Sequence, residues 1–347
     1  MLSMRRGLSW GAAAIFLAML VVPAAVSGLG STAKVRQTEE GEKPPAVLWR
    51  DPVDISSRNL FYGSGGREGE PHAPFTFLKE DFHGSNPKFD VVDRDGIKWR
   101  VKLGYEARPE TAASRLVWAA GYFTAEYYFL PVLRVRNMPT VLQRGQKYIE
   151  KDGSISDVRL KRNPGDEKHE GRWSWRHNSF SGTRELNGLR VMMALINNWD
   201  LKDDNNAVYR VKDDAGGMED LYAVSDLGAT FGTTGETRSG ARSKGNLRSY
   251  ANSRFLSRIA PDYVDFSSPA RPSLPVLVDP VLFVEEMHLR WIGKRIPRAD
   301  ARWIGRLLGR LSRDQIRDAF RAAGYSPEEV EGFATAVIDR IAQLNGL

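Results

Sequence analysis

No cysteine occurs in the 347 residues. That excludes disulfides, thiolate metal sites, thiol nucleophiles and lipoprotein attachment through an N-terminal cysteine. Histidine is scarce as well. The five present never fall in a His-x-x-x-His spacing, so no zinc site is expected. No internal repeat is visible, and no nucleic-acid-binding motif stands behind the basic balance of +7. Long apolar runs are missing except for one. Arg5 and Arg6 precede the stretch Trp10 to Val22, Pro23 ends it, and Ala24-Ala25-Val26-Ser27-Gly28 supplies small residues. This predicts a signal peptide over 1–28 and export, periplasmic or extracellular. The stretch is shorter than the ~20 apolar residues a spanning helix needs, so a signal anchor ranks second and is the only membrane contact expected.

What remains is ordinary globular composition, 41% hydrophobic and 27% charged, long enough for a sizeable core. Residues 29–74 are polar with no sustained period and read as a linker or extended arm, including the flexible glycine-rich Tyr62 to Gly69. Three strands follow: Phe75–Asp81, Lys88–Asp93 and Ile97–Leu103. In the third, Ile97, Trp99, Val101 and Leu103 alternate with Lys98, Arg100 and Lys102, which puts three cations on one face of a sheet. Pro109 to Gly121 predicts a helix with Ala113, Leu116, Val117 and Ala120 as its buried stripe and Glu110 at the stripe's edge. Tyr128–Val135 and Val158–Lys161 read as further strands. Residues 162–182 read as irregular. A second helix, Thr183 to Asn197, delivers the dense polar stretch Asn198-Trp199-Asp200-Leu201-Lys202-Asp203-Asp204-Asn205-Asn206. A strand pair, Ala207–Val211 and Leu221–Val224, leads to Ser225-Asp226-Leu227-Gly228. The basic run 238–258 reads as a solvated loop. Residues 267–278 read as extended. Asp279-Pro280, Ser312 with Gln315, and Ser326 with Glu329 mark helix starts. The expected class is α+β: a β-rich first half with one key helix, then a mostly helical second half.

Phosphoryl transfer needs a cation on the non-transferred phosphates, oxygen ligands for magnesium, and a group that orients the nucleophile. The chain offers each in order. Lys102 is the phosphate cation. Glu110 is its ion-pair partner, preferred to Glu106, which is read as lying in the loop. Asp200 accepts the hydroxyl proton or aligns the nucleophile, and Lys202 neutralises the moving phosphoryl group. Asn205 and Asp226 are metal ligands, and Gly228 lets the chain turn away from the metal.

These residues carry a resemblance. Asp200-Leu201-Lys202-Asp203-Asp204-Asn205 resembles the protein-kinase catalytic loop D-L-K-x-x-N, and Asp226-Leu227-Gly228 resembles D-F-G. Gly84-Ser85-Asn86-Pro87-Lys88-Phe89 is similar to the G-x-x-P-K phosphate loop of HipA-type kinases, within the group that includes phosphoinositide kinases. Asn197-Asn198-Trp199-Asp200 resembles the HipA approach to the same loop. The resemblance covers about 75–230. It implies a bilobal protein-kinase-like fold over 75–347, with an N-lobe of about 75–165 and a C-lobe of about 166–347. It implies ATP with Mg2+ or Mn2+, and Gly84, Ser85, Asn86 and Lys88 on the phosphates. Three departures stand beside it. No His-Arg precedes Asp200, no Ala-Pro-Glu closes the segment after Asp226, and Arg100 stands where protein kinases keep a small residue against adenine.

The expected function is therefore an exported Mg-ATP-dependent phosphotransferase acting on a hydroxyl of a protein, lipid or small molecule, with nucleic acid not expected as a partner. Two other readings compete. A pseudokinase would bind nucleotide without turnover. A secreted interaction protein would hold calcium on the acidic turn and ignore nucleotide.

Overall fold

A computed structural model describes residues 43–84, 86–163, 168–233, 243–267 and 289–347. The signal peptide, the first part of the arm, Ser85, Arg238 to Arg242 and the Asp279-Pro280 helix start lie outside the described residues. Residues 44–347 make one compact unit.

Among the described residues the fold is α+β, with its strands concentrated before residue 225 and its longest helix after 297. Alternation sets the first sheet. Strands β2 (Phe75–Asp81), β3 (Lys88–Val92) and β4 (Lys98–Lys102) form a meander, with Gly96 at φ 80 in the tight turn before β4. The numbering counts β1 (Ala46–Val47) first. Strands β5 (Tyr127–Leu133), β6 (Val135–Arg136) and β7 (Ile155–Arg162) complete six strands in the order β5-β7-β4-β3-β2-β6. Phe89, Val91, Trp99, Val101 and Leu160 fill its apolar face at 1% exposure or less.

Helix α1 (Ala107–Ala119) packs against this sheet and against the helical part of the chain. It begins two residues before Pro109, because proline is tolerated in the first turn, where the N–H has no helical partner. Its stripe residues Ala113, Leu116, Val117 and Ala120 are buried in the large core shared with the helical part. Helix α2 (Arg184–Leu195) is capped by Thr183 and is buried almost throughout. Strands β8 (Lys168–Gly171), β9 (Asn206–Lys212) and β10 (Met218–Val224) join β1 in the order β1-β10-β9-β8.

Short α3 (Leu247–Ala251) and the strands β11 (Leu256–Ile259), β12 (Tyr263–Phe266) and β13 (Ile296–Pro297) precede three C-terminal helices. These are α4 (Arg298–Leu308), α5 (Arg313–Arg321) and α6 (Pro327–Asn345). Ser312/Gln315 and Ser326/Glu329 each form the expected reciprocal capping box.

Two expectations are corrected. Residues 44–74 are not an arm: β1 pairs in parallel with β10, and Leu48, Ile55 and Leu60 are in the core. Gly63 lies so close to Arg115 of α1 that a Cβ would collide with the guanidinium. Apolar residues spaced among polar ones anchored this segment without any period to read. Residues 162–182 are likewise ordered in part, through β8 and the buried pair Trp173 and Trp175.

Candidate active site

Lys102 ends β4 at 5% exposure. Gly104, at φ 88, then turns the chain into α1, so that Glu106 at the N-cap and Glu110 one turn later both face back to the strand. Lys102 Nζ donates to Glu106 Oε2 at 2.7 Å and to Glu110 Oε2 at 3.0 Å. The preference for Glu110 alone is thus corrected. The helix starts early enough to bring both acids to the lysine. Glu110 is fully buried rather than at a stripe edge, and it also receives Arg159 of β7 through Nε at 3.0 Å and Nη2 at 2.8 Å. Glu106 also receives Asn86 Nδ2 at 2.6 Å and Lys244 Nζ.

The electrostatics follow from this packing. Burial alone would lower the Lys102 pKa, but Glu110, Asp226 and Glu106 outweigh it and hold the ammonium charged. Burial would raise Glu106, yet Lys102 and Lys244 with their hydrogen bonds hold it at about 2. Arg159 is raised in the same way: burial lowers it, and Glu110 more than compensates. Its guanidinium lies 4.5 Å from the Tyr127 ring centroid, and the Tyr127 hydroxyl donates to Ser225 O at 2.8 Å.

The β9–β10 hairpin supplies the opposite wall. Its register pairs Asn206 with Val224, which brings Asn205 beside Ser225 and Asp226. Asn205 O accepts from Ser225 N at 2.8 Å, Ser225 Oγ at 3.0 Å and Asp226 N at 3.3 Å. The Asn205 side-chain nitrogen donates to Asp200 O at 2.6 Å, so that the amide oxygen is the end a metal would use. Both Asp226 oxygens stand 3.4 Å from Lys102 Nζ, and Asp226 Oδ1 accepts from Gly228 N at 3.0 Å. Gly228 has a different role from the one expected. Its φ is not left-handed. A Cβ there would lie 2.5 Å from Glu106 Oε2, so close approach is what requires glycine.

Lys88, Lys102, Glu110, Asn205 and Asp226 line one cavity of about 220 Å³, together with Arg100 and Arg159. Asn86 stands behind it, on Glu106. Gly84 is left-handed at φ 70, and its carbonyl accepts from Arg144 Nη2 at 2.8 Å. Ser85 lies outside the described residues. Asp200 and Lys202 are on the same loop as Asn205 but outside the cavity lining.

Sequence reasoning ranked Glu106 second to Glu110 and missed Arg159, Tyr127 and Lys244 as parts of the site. Of these only Glu106 had a local signal, its i, i+4 spacing from both Lys102 and Glu110. Lys244 also corrects the solvated-loop reading of the basic run where that run is described. Behind the loop, Asn197 is left-handed at φ 51 and fully buried, and it joins Gly232 O, Ser253 Oγ and Arg340 Nη1 at 2.7–3.0 Å.

The donor set fits magnesium. Magnesium takes one or two carboxylate-type ligands and completes its shell with phosphates and waters, and Asp226 with Asn205 Oδ1 supplies that number. It does not fit the calcium reading. Among the described residues no three acidic or imidazole groups gather at one point, and the turn's acids are dispersed: Asp203 accepts from Trp175 N, and Asp204 pairs with Arg172.

No family model and no curated protein matches the sequence. Solved structures do show similarity. A Helicobacter pylori proinflammatory kinase, CtkA, matches at 12% identity and TM-score 0.43 over 78% of this chain and 95% of its own. The Golgi casein kinase with Mn/ADP bound matches at 11% identity and TM-score 0.38, over 80% and 73%. The Rio2 kinase-ADP/Mg2+-phosphoaspartate complex from Chaetomium thermophilum matches at 10% and 0.28, over 77% and 72%.

Proposed function

We propose that this chain is a kinase-like phosphotransferase that uses ATP with a divalent metal, Mg2+ or Mn2+, and transfers the terminal phosphoryl group to a hydroxyl acceptor. One observation carries the reading. A buried lysine, fixed by two helix carboxylates, reaches both oxygens of Asp226 across the same cavity that Asn205 lines. A lysine so held is a preorganised partner for the non-transferred phosphates, with no side-chain ordering left to do on binding. Asp226 and Asn205 would hold the metal, which supplies charge neutralisation on the phosphate oxygens. Lys88, also in the cavity wall, adds a second cation for the chain of phosphates. Asp200 is the orienting acid on the acceptor side, five residues from Asn205 and tied to it through its own carbonyl. Lys202 is the cation for the moving group.

Calorimetry with Mg-ATP is the direct test. Metal-dependent binding is expected, with loss in Asp226→Ala and in Lys102→Met. Absence of metal-dependent binding in the parent protein would overturn the proposal. Turnover against a mixed hydroxyl-acceptor panel then separates an active enzyme from a pseudokinase. Export is proposed on residues 1–28 alone, and the N-terminal sequence of the mature protein tests it. Among the described residues no helix is long and apolar enough to cross a membrane.

A further inference from the structure

The cavity differs from a slot that reads a nucleotide base. Its lining among the described residues contains no apolar side chain, and six cations face three carboxylates. Strand register explains the concentration. Lys88 of β3 lies opposite Lys102 of β4, Lys102 opposite Arg159 of β7, and Arg100 opposite Lys161. Opposed residues on paired strands point to the same face, so three adjacent strands present five cations to one cavity.

These cations are not equally neutralised. Arg100 is held by Asp90 at 2.9 Å and Asp81 at 3.0 Å. Lys102 and Arg159 share Glu110. Lys88 makes no hydrogen bond or ion pair among the described residues, and Arg159 Nη1 is buried with no acceptor. A purine placed here would strip water from charged groups and return neither apolar contact nor a charge of opposite sign. A phosphate chain instead brings acceptors that match lysine and guanidinium donors.

We propose that the cavity binds its donor through the phosphate chain and not through the base, so that its donor class is a linear phosphoanhydride chain with a divalent metal. ATP is one member of that class, and inorganic tripolyphosphate is another. The inference rests on the phosphotransferase reading above. In the transfer, the bond between the terminal phosphorus and the bridging oxygen breaks, and its electron pair stays on the leaving chain. The acceptor oxygen forms the new P–O bond, and its proton passes to the Asp200 carboxylate or to water. From tripolyphosphate the products are the phosphorylated acceptor and pyrophosphate.

Calorimetric titration of the full chain with ATP, GTP and tripolyphosphate, each with Mg2+, tests the proposal. The three dissociation constants are expected within about tenfold, whereas a site that hydrogen-bonds a base discriminates by roughly 100-fold or more. Lys88→Ala should weaken all three by the same factor, about tenfold. ATP bound roughly 100-fold more tightly than both GTP and tripolyphosphate would overturn the inference while leaving the phosphotransferase reading in place. No metal-dependent binding of any of the three, by protein whose thermal unfolding is cooperative, would overturn both.

Discussion

Lys102 and Arg159 on one side of α1, and Arg340 behind the polar loop, are buried to the same degree, at 3–5% exposure, yet are satisfied in opposite ways. Among the described residues Arg340 of α6 has no carboxylate partner. Its nitrogens donate to the carbonyls of Ala194, Leu195 and Tyr250, to Asn197 Oδ1 and to Ser253 Oγ, and its guanidinium lies 4.0 Å from the Tyr250 ring centroid. Burial lowers its pKa with little to oppose the effect. The centre around Glu110 is built from opposite charges and has capacity left over. Among the described residues Glu110 Oε1 and Arg159 Nη1 are buried without partners, and Asp226 keeps 41% of its side chain exposed. A cation satisfied by neutral carbonyls is a structural joint. A cluster of charges with unused donors and acceptors, open to a cavity, is prepared for a charged ligand.

The sharpest way to separate the two centres is to remove their cations. Arg340→Met leaves Asn197 Oδ1 without its donor, while the carbonyls of Ala194, Leu195 and Tyr250 each keep a second one, and should destabilise the protein by about 3 kcal/mol, since an orphaned buried group costs about 1–3 kcal/mol and the lost hydrogen bonds to a charged donor add to it. The denaturant midpoint should fall with the slope unchanged. A loss below about 1 kcal/mol would show that the joint is not what fixes the loop. Asp226→Asn should do the reverse. Its side chain is partly exposed and the Gly228 N–H keeps an acceptor, so stability should change little while turnover falls by about 10²–10³-fold. Equal effects of Asp226→Asn on stability and on turnover would erase the contrast between joint and site.

Acid titration separates the centres by a different route. The Glu106 carboxyl is held at about 2 against an ordinary 4.5 because Lys102 and Lys244 outweigh its burial. Between those values the unfolded chain binds the proton and the folded chain does not. The stabilisation is therefore complete above about pH 4.5 and is lost as pH falls toward about 2, a span of roughly 3 kcal/mol. Glu106→Gln should flatten unfolding free energy against pH in that window. Arg340→Met should shift the curve without changing its slope there, because among the described residues that centre contains no acid. An unaltered slope in Glu106→Gln would mean that the Lys102 and Lys244 contacts do not persist in solution.

The two centres also differ in how much of each the sequence discloses. The β4 alternation announced Lys102, and the turn and helix after it announced Glu110, because strand and helix periods are local. Asn205 and Asp226 were readable for the same reason, since they flank a hairpin whose strands are short and adjacent. Arg159 was visible only as part of a strand, because its partner lies 49 residues earlier and nothing in Val158–Lys161 encodes that distance. Lys244 sat in a basic run whose other members gave no reason to single it out. Arg340 was one arginine among many on helices read as having solvated polar faces, and its meeting with Asn197 spans 143 residues. Asn197 and Asn198 were taken as part of a resemblance to a loop, whereas Asn197 is the joint that holds that loop to α6. Side chains whose partners are set by helix or strand period could be inferred. Those whose partners are set by how sheets and helices pack could not.

Gly228 marks the point where the ionic centre leaves no spare room. Its backbone needs no left-handed φ, so conformational freedom is not its reason. A Cβ would stand 2.5 Å from Glu106 Oε2, 2.8 Å from its Cδ and 3.0 Å from its Cβ, and Glu106 is fixed from three sides by Lys102, Asn86 and Lys244. Gly228→Ala should therefore cost about 1–2 kcal/mol in stability, in the range of overpacking. In a Glu106→Ala background the two tightest contacts disappear. There the same substitution should cost about 1 kcal/mol less, a coupling that a double-mutant cycle in denaturant resolves. Equal costs in the two backgrounds would show that Gly228 answers to its own turn and not to Glu106. In that case the approach of the Asp226 segment to the helix acids is not held by their packing, and the contacts of Lys102 with Asp226 and of the Tyr127 hydroxyl with Ser225 O join the two walls of the cavity.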